Sequence, residues 1–191
     1  MADPVRPGIC PPEGCPPPTE IDCIIVDKVY DSCFQIDERT RTTTVTTGAG
    51  GQFATGTFAV GDVVGCGLTT GDTIACTLVS SVPAGDNFAT ITVLVTVPVT
   101  LTNPNAATET VDTTFTFTKT ATLCFPAGVN ISCSESTLLS CSCVITAVGA
   151  DTIEVTCDLV VCLVLKTFLS VQLLVPTYGF CVPAPCTTLG E

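Results

Sequence analysis

The clearest pattern in the chain is strict alternation between residues 88 and 102. Ala89, Ile91, Val93, Val95, Val97, Val99 and Leu101 share one parity, and Thr90, Thr92, Thr96, Thr100 and Thr102 the other. Successive side chains of a strand point to opposite faces, so this stretch predicts a long, half-buried strand. Pro98 lacks the amide hydrogen a ladder needs, which predicts an edge or a bulge there. Residues 109–125 repeat the pattern. Val111, Phe115, Phe117, Ala121, Leu123 and Phe125 line one face with Lys119 as an intruder, and Thr114, Thr116, Thr118, Thr120 and Thr122 line the other.

The remaining segments read as shorter or less regular strands. Residues 21–37 form a first strand region, residues 38–47 a polar Thr-rich exposed strand, and residues 52–60 a third strand after a turn at residues 48–51. Two ten-residue units, GDVVGCGLTT and GDTIACTLVS, then repeat (61–70 and 71–80). Each opens on Gly-Asp, a turn signal. Each carries a Cys at its sixth position, which would let Cys66 and Cys76 face each other across a hairpin. Asn103-Pro104-Asn105 is a loop. Residues 134–150 and 151–175 look like two strands around a turn at Gly149, and one of the registers open to them sets Cys143 opposite Cys157. The most apolar run, residues 159–175, is too short and too interrupted by Lys166 for a membrane helix. Leu159, Val161, Leu163, Leu165, Leu169, Val171, Leu173 and Val175 share parity, so it reads as a buried strand bent or broken near Lys166.

Eight or more strands with turn signals predict an all-β chain, a jelly-roll-type β-sandwich. Its abundant Thr and Val agree, because β-branched side chains suit a pleated surface. The first twenty residues differ. MADPVRPGICPPEGCPPPTE holds seven prolines with Cys10 and Cys15, so it can join neither a helix interior nor a central strand. The expected organisation is an extended Pro/Cys-rich N-terminal arm (1–20), a β-sandwich domain (21–180) and a Cys/Pro-containing C-terminal tail (181–191). A neighbouring subunit is the expected holder of the arm, with local disulfides to its own domain as the alternative.

Composition narrows the function. The net charge is −12 with six cations, which leaves no basic stripe for nucleic-acid phosphates or an anionic membrane surface. The chain has no His, which removes Ser-His-Asp and Cys-His catalysis. No Gly-rich loop opens a helix, and no carboxylate pair stands out for glycoside hydrolysis. No enzyme and no cofactor is expected. Asp62, Asp72 and Asp86 are weighed as calcium ligands but fit turn chemistry better.

The 14 Cys, with no CxxC pair, point to a disulfide framework rather than a zinc site. The CxC of Cys141 and Cys143 would suit a soft metal, but more simply sets two sulfurs on one face of a strand. Inter-subunit disulfide candidates are Cys10 and Cys15. Other candidates are Cys23, Cys33, Cys66, Cys76, Cys124, Cys133, Cys141, Cys143, Cys157, Cys162, Cys181 and Cys186. Disulfides persist in oxidising places, yet no secretory signal is visible. Removal of a signal, a hyperthermophile cytosol, or synthesis in a cell that later lyses would each resolve this.

At residues 24–33, IIVDKVYDSC resembles the start of cysteine-rich surface proteins of spore-forming Firmicutes. The plan of a Cys-bearing connector, a Val-Asp-Lys-Val stretch and a Thr/Val-rich β domain is similar to that of endospore appendage (Ena) subunits. The resemblance implies a jelly-roll subunit stacked into a helical fibre by β-augmentation, with Cys10 and Cys15 as connector cysteines. It also implies synthesis in a mother cell and placement on the spore surface. The chain is longer and richer in Cys than that pattern. The expected function is therefore a self-assembling extracellular fibre subunit whose partner is itself. The alternative is a monomeric secreted module that binds ice, mineral or glycan through flat Thr faces such as Thr114, Thr116 and Thr118.

Overall fold

The computed structural model describes residues 20–177. All the regular structure among them is β. The strands are β1 (Glu20–Thr46), β2 (Val63–Leu68), β3 (Ala75–Gly85), β4 (Phe88–Asn103), β5 (Ala106–Cys124), β6 (Asn130–Ser132), β7 (Thr137–Val148) and β8 (Thr152–Thr177). Their order is β1-β8-β7-β2-β4-β3, with β5 on the other edge of β4 and β6 paired to β8. Among the described residues no helix is long and apolar enough to cross a membrane. The chain divides into a unit of Val29–Leu169 and a unit of the two ends, Met1–Lys28 with Ser170–Glu191.

In the larger unit, β2 connects two groups of strands. Val63 and Val64 pair with β7, and Gly65 to Leu68 pair with β4. The alternation resolves into one shared core. Ile91, Val93, Val95, Val97, Val99 and Leu101 of β4 are buried, as are Val155, Leu159, Val161, Leu163 and Leu165 of β8. All belong to a single cluster with Phe115 and Phe117 of β5. Burying each such side chain is worth roughly 1.5–3 kcal/mol relative to leaving it in water.

Several expectations change in detail. The two stretches 21–37 and 38–47 are one 27-residue strand. Residues 52–60 are not a strand but a loop, with a single bridge from Phe53 to Thr47. Gly56 sits there at φ +107°, where a Cβ would strike Asn105. The loop's polar groups are met by side chains rather than by a ladder: Asn103 donates to the Thr55 carbonyl (2.9 Å) and Asn105 to that of Thr57 (3.1 Å). Pro98 lies on a central strand, not an edge. β3 leaves β4 at Thr96 and β2 joins at Val99, so the missing amide hydrogen falls where no ladder runs. On that side the Pro98 carbonyl accepts from Thr69 (3.2 Å). β8 runs unbroken through Lys166, which pairs with Glu135. What changes near Lys166 is the neighbour, since β7 pairs with β8 up to Cys162 and β6 takes over at residues 166–168.

Lys119 is the one cation on the inner face of β5, and β1 supplies its partner. Both oxygens of Asp37 accept from its ammonium (3.0 and 2.9 Å), and Arg39 adds a third contact at 3.1 Å. Arg39 also lies over the Phe117 ring, 5.0 Å from its centre. Arg41 donates to the Thr116 carbonyl (3.0 Å). Three of the six cations thus fasten β1 against β5, and Arg41 occupies a carbonyl on a strand edge that would otherwise invite pairing.

Candidate functional site: cysteine framework and uncovered strands

Three disulfides form among the described residues, Cys66–Cys141, Cys76–Cys133 and Cys143–Cys157. The last follows one of the registers open from sequence, since Cys143 lies directly opposite Cys157. Cys66 and Cys76 do not face each other across a hairpin. β2 and β3 lie end to end along the same edge of β4, with Cys66 opposite Leu101 and Cys76 opposite Val95. Each sulfur therefore turns to a different strand. The bonds tie β2 to β7, β3 to the residue after β6, and β7 to β8. The CxC sulfurs of Cys141 and Cys143 do share a face, 3.8 Å apart. With Cys66 they make the one group of three potential metal ligands among the described residues.

Cys23, Cys33, Cys124 and Cys162 are free thiols, the first two exposed. Although Cys33 is exposed, partial desolvation of its thiol pushes it above its ordinary value; the Asp31 carboxylate adds to this and Lys119 opposes it. Cys10, Cys15, Cys181 and Cys186 lie outside the described residues, as do nearly all of the arm and the tail. Asp62, Asp72 and Asp86 behave as turn residues. Asp62 accepts from the Ala59 amide (2.8 Å), the Asp72 amide donates to Thr69 (3.1 Å), and Asp86 has φ 47° in the β3–β4 turn.

Sequence alternation did not reveal how much of β1 is uncovered. Ile21, Ile25, Phe34 and Ile36 are exposed, Ile25 by 74% and Phe34 by 75%. On β8, Leu173 and Leu174 are exposed too. In the unit of the chain ends, residues 20–28 and 170–177 run as paired strands fastened by polar contacts. Thr177 donates to Asp22 (2.7 Å) and Ser170 to Asp27. A two-stranded ribbon is marginal by itself in water, and this one places Ile21, Ile25 and Leu174 in solvent. The signal was available in sequence: in residues 21–26, apolar residues occupy both parities.

The outer faces are Thr ladders. Thr90 meets Thr122 (2.9 Å) and Thr92 meets Thr120 (3.1 Å) across β4 and β5. Thr42 and Thr146 both meet Thr156 (3.1 Å) on β1, β7 and β8. Thr114, Thr116 and Thr118 are exposed on β5. Glu109 is held below the ordinary carboxylate value by hydrogen bonds from the Thr55 hydroxyl, Asn103 and the Thr55 amide. This ties the 52–60 loop to the β4–β5 hairpin. No protein-family model, curated protein or solved structure matches the chain.

Proposed function

We propose that this chain is a structural subunit that assembles head-to-tail into an extracellular or spore-surface fibre, sealed by inter-subunit disulfides from the N-terminal arm through Cys10 and Cys15. The observation that carries the reading is the pair of uncovered apolar strands. In the unit of the chain ends Ile21, Ile25 and Leu174 stand in solvent and Cys23 is an exposed thiol; in the larger unit Phe34 and Ile36 stand in solvent and Cys33 is an exposed thiol. Large exposed apolar patches mark interaction surfaces. A strand at the end of the sheet order, as β1 is, can accept another chain's strand. Repeated head-to-tail contact that does not close into a ring gives a filament.

The jelly-roll reading of the fold has its own support. β1 pairs with β8, β2 with β7 and β4 with β5, while Cys76–Cys133 joins β3 to the end of β6. This nesting is what a long hairpin rolled on itself produces. A monomeric binding module is the second reading, and exposed Thr114, Thr116 and Thr118 favour it. Against it, Thr90, Thr92, Thr120 and Thr122 spend their hydroxyls on one another.

Denaturing electrophoresis after blocking free thiols tests the fibre. A high-mass ladder that collapses to one monomer band on reduction is expected, and Cys10→Ser with Cys15→Ser should abolish it. A monomer band without reductant would overturn the disulfide-linked fibre.

A further inference from the structure

Three sulfurs meet on two neighbouring strands, β2 and β7. Val64 of β2 lies opposite Cys143 of β7, and Cys143 lies opposite Cys157 of β8. Cys66 and Cys141 stand next along the same two strands, bonded to each other. The sulfurs of Cys66, Cys141 and Cys143 all lie within 4.8 Å of one another. Those of Cys141 and Cys143, which are not bonded together, are 3.8 Å apart. Two thiolates bound to one tetrahedral zinc at ~2.3 Å each stand about 3.8 Å apart. The strand period of two has therefore set this pair at the spacing a metal edge requires.

The geometry points to a thiophilic metal site in the reduced chain: Cys66, Cys141 and Cys143 bind one divalent d10 ion of the zinc type, and the fourth position is left to water. With no His in the chain, sulfur is the natural donor. Such donors select soft and borderline ions over calcium or magnesium. Charge favours a divalent ion over a monovalent one. Three thiolates leave a net −1 around the first and −2 around the second, and Cys143 is fully buried, where net charge is costly. Binding releases the thiol protons.

The metal and the disulfides are alternative occupants of the same sulfurs. When Cys66–Cys141 and Cys143–Cys157 form, each pair of sulfurs gives two electrons to an external disulfide, which leaves as two thiols. The protons come from the cysteines, or from water where the ion has already displaced them, and the ion departs hydrated. Before oxidation the ion holds β2 and β7 in register.

The full chain, reduced and freed of reductant without air, is titrated with Co2+ as the spectroscopic probe. Other cysteines also bind cobalt, so the readout is a difference between variants. Cys141→Ser should bind one fewer Co2+ per chain and lose part of the sulfur-to-cobalt charge-transfer band, while Cys76→Ser keeps the full count. Bound Zn2+ should also slow formation of Cys143–Cys157 by glutathione disulfide, followed by peptide mapping. Equal counts in the full chain and Cys141→Ser would overturn the site. Where reduction unfolds the chain, Zn2+ should restore its strand spectrum; failure to do so would overturn the site equally.

Discussion

The two ends of β8 carry the same kind of sequence and meet different fates. Ile153, Val155, Leu159, Val161, Leu163 and Leu165 alternate and are buried. Beyond Thr167 the apolar residues continue, yet Leu173 and Leu174 stand in solvent. β1 shows the same contrast, with Val45 buried and Ile25 exposed. Alternation records which side chains share a face. Whether that face is covered depends on what packs against it. In the larger unit, the inner faces of β4 and β5 complete the core around β8. The exposed apolar residues near the chain ends are those the proposed fibre would bury between subunits.

The contrast can be broken by substitution, and the largest effect belongs to the core. Leu159→Ala should cost about 2–5 kcal/mol by urea unfolding of isolated subunits. Leu174→Ala should stay within about 0.5 kcal/mol in the same assay, because it removes surface already in water. Next comes the ion pair on the seam between β1 and β5. Asp37→Asn leaves Lys119 without its carboxylate, and buried pairs broken in this way cost about 3–5 kcal/mol. The lower end is expected here because Lys119 keeps 14% of its side chain in solvent. The double change Asp37→Leu with Lys119→Met should recover most of the loss.

Removing Cys143–Cys157 by paired Ser substitutions should cost about 2–3 kcal/mol, since the bond closes a short loop. Cys76–Cys133 spans 57 residues against 14, so its loss should cost more on the chain-entropy view. The smallest effect is chemical. The Cys33 thiol lies above its ordinary value, so its alkylation profile should sit at higher pH than that of a free cysteine. Asp31→Asn should move the profile down and Lys119→Met should move it up.

Much of this fold was legible because it rests on period two. The faces of β4 and β5, the β7–β8 hairpin and the Cys143–Cys157 register all follow from alternation and turn residues. Other features depend on which strands become neighbours, which a single sequence does not encode locally. Cys66 and Cys76 look like hairpin partners until β2 and β3 are laid along one edge of β4. Pro98 looks like an edge signal until the gap between those strands is placed beside it. Residues 52–60 look like a strand, but Gly56 and the side chains of Asn103 and Asn105 hold them as a loop. Lys119 reads as an intruder until Asp37 arrives from a strand 82 residues earlier.

The central claim is that the uncovered apolar strands are buried between copies of this chain. The most direct measurement is electron microscopy with sedimentation of the full chain beside an Ile25→Asp, Leu174→Asp variant, both under oxidising conditions. The account predicts filaments for the full chain and folded, dispersed subunits for the variant. A monodisperse monomer in the first sample, or unchanged filaments in the second, would contradict it.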